Sequence, residues 1–186
     1  MVTKVAISGN IASGKSQVEK ILVDLGFKVY DSDKIAHDVL NDITEFYGYD
    51  VFTNGKIDRK KLGKLVFSNL DVKLKLEKLT HPKIKEEIIR IFEENKDEKY
   101  IFVSVPLLYE AGFEKIFDKV IFISVDEGLQ LKRLMKRNNL SKKDALARIN
   151  SQQPQKEKIL KADFVIENNK TIDDLKIAVE LVINSL

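Results

Sequence analysis

At 186 residues, with 44% hydrophobic and 33% charged residues, the chain is long enough for one domain with a sizeable core and too apolar to be disordered. Lys and Arg total 32 against 29 Asp and Glu, and a net charge of +3 is too mild to signal nucleic-acid binding, though it suits an anionic small molecule. The absence of cysteine excludes disulfides and thiol chemistry; with no signal-peptide pattern and no apolar run of spanning length, a cytoplasmic chain without membrane contact is expected.

In chain order, the first apolar run covers residues 2–7 and reads as a strand leading into a glycine-containing loop and a helix. A second strand is expected at 27–30. Residues from about 34 to 95 are rich in helical spacing and read as an insertion on one side of a sheet; Arg59-Lys60-Lys61 within it reads as a solvated helix face. Further strands are expected at 100–105, 120–125 and 164–166. Between the last two, Gln130, Arg133 and Arg137 share one helix face, and Asn138-Asn139-Leu140-Ser141 breaks that helix from the next. Ser141 with Asp144, and Thr171 with Asp174, read as capping boxes. Ile172, Leu175, Val179 and Val182 form the core-facing stripe of the last helix. Five strands alternating with helices predict an α/β fold with a five-stranded parallel sheet flanked by helices.

Gly9-Asn10-Ile11-Ala12-Ser13-Gly14-Lys15-Ser16 fits G-x-x-x-x-G-K-[ST] in full, with a strand before it and a helix after it. Such a loop turns consecutive backbone N–H groups toward phosphate oxygens, and the following helix adds its positive N-terminal end. Gly9, Ala12, Ser13, Gly14, Lys15, Ser16 and Gln17 are therefore the expected nucleotide-binding residues. Lys15 is expected to neutralise the β and γ phosphates of ATP, and the Ser16 hydroxyl to ligate Mg²⁺.

The second strand runs into Asp31-Ser32-Asp33, placing two carboxylates at the carboxyl edge of the sheet, where open parallel sheets bind ligands. A carboxylate there accepts a proton from an attacking hydroxyl or holds Mg²⁺, or else caps the next helix. The expected division gives Asp31 the turn and Asp33 the phosphates. His37 lies on the same helical face as Asp33, either as a substrate ligand or as a plain surface histidine.

These segments occur in one order with Thr80-His81-Pro82-Lys83-Ile84, Val105-Pro106-Leu107-Leu108-Tyr109-Glu110, Arg148-Ile149-Asn150-Ser151-Gln152 and Ala162-Asp163. Together with Asp31-Ser32-Asp33-Lys34-Ile35-Ala36-His37 they resemble the dephospho-CoA kinases, over nearly the whole chain. The resemblance implies ATP-dependent phosphorylation of the ribose 3′-hydroxyl of dephospho-CoA, the final step of coenzyme A synthesis. It also implies the P-loop fold of nucleoside-monophosphate kinases. The chain then reads as a single kinase domain over residues 1–186, with a helical substrate-binding insertion at about 34–95 and a lid at about 136–152. A monomer is expected.

Carried over, Asp33 resembles the catalytic carboxylate and a second Mg²⁺ partner, and His81 begins a segment resembling the acceptor-binding region. Pro82 suits the first turn of a helix, which predicts His81 at a helix junction. Leu107, Leu108 and Glu110 follow a strand at the ligand edge; the leucines either wall the acceptor pocket or belong to the core. Arg137 and then Arg148 are the candidate lid arginines that spread charge over the transferring phosphoryl group, with Arg133 structural. Asn168 and Asn169 occupy the loop that holds adenine in kinases of this fold, or form a plain turn. Asn10, Ala12 and Gln17 depart from the family loop, and the stretch between Ala36 and Gly48 is shorter than usual. Many relatives carry Asp where this chain has Ser104, which removes the usual acidic Mg²⁺ partner at that strand end.

Overall fold

The computed structural model describes residues 2–41, 50–53 and 56–186. In chain order the elements are β1 (Thr3–Gly9), α1 (Lys15–Asp24), β2 (Val29–Asp31), α2 (Ser32–Asn41), β3 (Phe52–Thr53), β4 (Lys56–Ile57), α3 (Arg59–Ser68), α4 (Leu70–Glu94), β5 (Tyr100–Ser104), β6 (Lys119–Ser124), α5 (Glu127–Asn138), α6 (Lys142–Asn150), α7 (Gln155–Ile159), β7 (Phe164–Glu167) and α8 (Ile172–Ser185). They divide into two compact units, residues 1–30 with 94–186, and residues 31–93; the second overlaps the insertion expected at about 34–95.

The first unit is built on a five-stranded sheet of order β2-β5-β1-β6-β7, in which β1 pairs in parallel with β5 and β6, and β6 with β7. Central position explains the unbroken apolar run of β1: Val5, Ala6 and Ile7 are fully buried because both faces are covered. Ile7 and Gly9 stand opposite Ser104 and Ile123, so the loop after β1 leaves from the middle of the sheet's carboxyl edge. On one face, Val18, Ile21 and Leu22 of α1 and Leu175 and Val179 of α8 pack over Val5, Ile7, Phe102, Ile121, Ile123 and Ile166. Phe27 adds edge-to-face contacts with Tyr100 and Phe102, with ring centres 6.1 and 5.4 Å apart.

Gly26 ends α1 at φ 89°, with its own N–H donating to the Val23 carbonyl and the Phe27 N–H to the Leu22 carbonyl. Thr171 and Asp174 form the expected capping box of α8. At α6 the Ser141 hydroxyl accepts from the Asp144 N–H but donates to the Asp144 carboxylate, so the reciprocal bond runs side chain to side chain. Ile172 is 53% exposed: the buried stripe of α8 begins at Leu175, because Ile172 sits in the first turn before the helix reaches the core.

In the second unit, β3 and β4 form a short antiparallel pair and Asp58 caps α3 by accepting from the N–H groups of Lys60 and Lys61. The helix α4 runs unbroken for 25 residues with Pro82 inside it. This corrects the helix junction expected at His81, which lies within α4. An internal proline costs about 3 kcal/mol through its missing N–H and its clash with the preceding turn. Burying an isoleucine contributes roughly 1.5–3 kcal/mol, and Ile84, Ile88 and Ile91 are all buried beyond Pro82, with Phe92 beside them. Packing therefore outweighs the local preference. The shortened stretch up to Gly48 lies largely outside the described residues. Among the described residues no helix is long and apolar enough to cross a membrane.

Candidate active site

The loop between β1 and α1 is shaped by its own short bonds. Ser13 N–H donates to the Asn10 carbonyl at 3.0 Å and Gln17 N–H to the Gly14 carbonyl at 2.9 Å, while Ile11 N–H is taken by Gln152 Oε1 at 2.7 Å. The N–H groups of Ala12, Gly14, Lys15 and Ser16 are left without a partner among the described residues. Gly14 caps α1 with no side-chain hydrogen bond, and no acidic residue occupies the first turn, so that helix end keeps its positive potential for a ligand. A Cβ on Gly9 would stand 2.6 Å from Ser13 Oγ and 2.9 Å from the Ile123 carbonyl oxygen. On Gly14, at φ 90°, it would strike Asn168. Only glycine fits either place.

Ala12 takes φ 61°, a left-handed conformation costing roughly 1–2 kcal/mol for a residue with a Cβ. Anchors on both sides hold it there. Gln130 Nε2 donates to the Ile11 carbonyl at 2.8 Å, Asn10 Nδ2 to the Gln153 carbonyl at 3.0 Å, and Asn168 Nδ2 to the Ser13 carbonyl at 2.8 Å. Each such bond contributes about 0.5–1.5 kcal/mol, so together they outweigh the strain. The segments at 130, 152–153 and 168 thus brace the loop.

Several expected residues take different tasks. Asn168 is 3% exposed and its side chain is committed to the loop, with Arg133 donating to its carbonyl at 2.9 Å; the Asn169 side chain accepts from the Asp126 N–H. Gln130 is buried, so the polar face it shares with Arg133 grips protein rather than water. Leu108 is fully buried and belongs to the core, whereas Leu107 is half exposed. Glu110 accepts from Lys158 Nζ at 2.6 Å, and that lysine is completely buried on α7. A buried cation needs such a partner, which explains the carboxylate without invoking a ligand. Beside it, burial pushes the Tyr109 phenol up to about 12, with Asp163 and Glu114 adding to the shift.

Arg137 and Arg148 are exposed on α5 and α6; Arg137 Nε donates to Asn138 Oδ1 at 2.9 Å. In the second unit, Asp31 Oδ1 accepts from the Asp33 N–H at 2.9 Å, so Asp31 supports the turn as expected. Asp33 is exposed in the first turn of α2 and His37 half-buried one turn later. His81 is half-buried on α4. The sequence reading passed over Glu19, Gln153 and Lys158, and it gave Gln130 and Gln152 no part in holding the loop. Only Glu19 carried a local signal, its four-residue spacing from Lys15.

A parallel sheet with a braced phosphate loop at its carboxyl edge defines a P-loop nucleotide-binding protein. The dephospho-CoA kinase family model, CoaE, matches residues 3–174. The chain is 42% identical to a dephospho-CoA kinase of Fusobacterium nucleatum and 40% identical to that of Carboxydothermus hydrogenoformans, each over 92% of this chain and over 92% and 88% of those proteins. The solved dephospho-CoA kinase from Campylobacter jejuni superposes with a TM-score of 0.77 at 37% identity, covering 100% of this chain and 97% of that one. The chain belongs to the dephospho-CoA kinase family. It is an ATP-dependent phosphotransferase that converts dephospho-CoA into coenzyme A, the final step of coenzyme A synthesis.

Proposed function

We propose that the four partnerless N–H groups at Ala12, Gly14, Lys15 and Ser16 receive the phosphates of ATP, and this is the observation that carries the assignment of roles. Gly9 and Gly14 let the backbone approach, Ser13 and Gln17 complete the loop, and Lys15 brings a cation to the β and γ phosphates. Among the described residues no group of three or more acidic, histidine or cysteine side chains forms a metal cage. That fits Mg²⁺, which is held largely by phosphates and water with one or two protein ligands. The exposed Ser16 hydroxyl would be one ligand, and Asp33 the other carried by the resemblance; bound Mg²⁺ would supply neutralisation of the phosphate charge.

In the transfer, the ribose 3′-oxygen forms a bond to the γ-phosphorus as the bond from that phosphorus to the bridging oxygen of ADP breaks. The hydroxyl proton passes to Asp33, whose neighbour Asp31 already serves the helix start. Arg137 and Arg148 spread charge over the moving phosphoryl group, and His37, His81 and Leu107 contribute to acceptor binding. Asn168 acts on ATP through the phosphate loop that its amide braces rather than by holding adenine with that amide. The chain acts as one kinase with its insertion at about 34–95 and lid at about 136–152, as a cytoplasmic monomer.

Incubation with ATP, Mg²⁺ and dephospho-CoA should give ADP and a product heavier by one phosphoryl group at the ribose 3′ position. Folded Lys15→Ala protein should give neither. Near-normal turnover in that variant would overturn the roles assigned to the loop.

A further inference from the structure

Lys15 Nζ donates to Glu19 Oε1 at 2.6 Å and also to Ser104 Oγ, and the Ser104 hydroxyl donates to the same Glu19 oxygen at 2.6 Å. Three side chains, two from α1 and one from the end of β5, therefore close a ring. The Lys15 and Glu19 side chains are 16% and 22% exposed, and Ser104 is fully buried. An exposed Lys–Glu pair at this helical spacing contributes only about 0.2–0.5 kcal/mol. This pair is largely shielded and is joined to a hydroxyl 85 residues further along the chain.

Its place is what gives it meaning. A carboxylate beside a phosphate loop repels the ligand unless a cation stands between them. P-loop NTPases use a carboxylate near the strand edge, together with the loop Ser or Thr, to hold Mg²⁺. Here β5 ends in Ser104, which has no charge, and its hydroxyl hydrogen is directed to Glu19. Ser16, the first-turn hydroxyl offered to Mg²⁺, lies three residues before Glu19 on the same helix, hence on the neighbouring part of its surface.

We propose that Glu19 supplies from α1 the carboxylate that the end of β5 lacks. Without nucleotide it holds the Lys15 ammonium; with nucleotide, when Lys15 engages phosphate, the freed carboxylate serves Mg²⁺, and Ser104 orients it throughout. Glu19 is a positioning residue in the first state and a metal-side residue in the second. The inference rests on the loop being a triphosphate site.

The test is ATP binding by titration calorimetry without acceptor, once in excess Mg²⁺ and once in EDTA. Glu19→Gln should bind ATP about 10–100-fold more weakly than wild type in Mg²⁺, the usual loss when an outer partner of a metal is removed. In EDTA it should bind at least as tightly as wild type, because the carboxylate no longer competes for Lys15. The double variant Glu19→Ala with Ser104→Asp, which returns the acid to the strand, should recover the Mg²⁺-dependent gain and serves alone if Glu19→Gln fails to fold. Equal weakening in both conditions, no change in Mg²⁺, or no recovery in the double variant would overturn the inference and leave the loop's role standing. Wild-type protein that binds no ATP would overturn both.

Discussion

The Asn168 amide donates to the Ser13 carbonyl at 2.8 Å across 155 positions of sequence, and Arg133 secures Asn168 by donating to its own carbonyl. The residue after β7 thus sets the shape of a loop that follows β1. Asn168→Ala leaves a buried carbonyl unpartnered, a loss of about 1–3 kcal/mol. For a chain of this length that corresponds to a fall in Tm of roughly 2–12 °C. ATP should bind more weakly, with kcat at saturating ATP less affected. Calorimetric melting and ATP titration check both effects; unchanged ATP affinity would mean the loop keeps its shape without Asn168.

Asp33→Asn preserves size and capping ability while removing the negative charge. If Asp33 accepts the 3′-hydroxyl proton, kcat should fall by ~10²–10⁴-fold with Tm little changed. Asp31→Asn should be milder in kcat, since Asp31 Oδ1 accepts the Asp33 N–H and an Asn oxygen can do the same. Steady-state rates at saturating dephospho-CoA separate the two carboxylates. Full activity in Asp33→Asn would assign the proton to another group.

Arg137 is exposed and its Nε donates to the adjacent Asn138, so truncation should not disturb the fold. Arg137→Ala is expected to lower kcat more than ATP affinity, because a guanidinium that meets charge developing during transfer acts in the transition state alone. An unchanged kcat returns Arg137 to the solvated face of α5.

Asp174 is held below the ordinary carboxylate range by the Thr171 hydroxyl first and the Thr171 N–H second. A carboxyl whose folded-state pKa is lowered contributes stability that is fully present above its unfolded value, near ~3.9. That contribution is lost as pH falls through the lower folded-state value, because the unfolded chain takes up the proton first. The Tm difference between wild type and Asp174→Asn should therefore be constant from about pH 5 upward and shrink below about pH 4. Melting curves across that range decide it; a difference independent of pH would mean that the charge is irrelevant to the cap.

The sheet was legible because its inner strands β1, β5 and β6 are buried on both faces and read as unbroken apolar runs. The phosphate loop was legible because its glycines and lysine are fixed by local geometry. The pair β3–β4 was missed: two-residue strands leave too short a pattern, although Asn54-Gly55 between them is a hairpin signal in sequence. Pro82 misled because the rule for its placement is local, while the isoleucines that hold α4 together act through packing. The braces at Gln130, Gln152 and Gln153 were invisible for a related reason. Nothing in the neighbouring sequence announces that the side chains of Gln130 and Gln152 and the backbone carbonyl of Gln153 meet a loop more than a hundred residues away.

The placement of β1 between β5 and β6 has a consequence for how the protein is made. The strand that carries the phosphate loop leaves the ribosome before both of its partners and all three braces, which lie at residue 100 or beyond. At about 5–20 residues per second, the nascent apolar strand waits on the order of ten seconds for the segment bearing Asn168 to emerge. ATP therefore has no finished loop to bind until the segment bearing Asn168 has been made. The nucleotide stabilises the completed protein but gives its folding no early start.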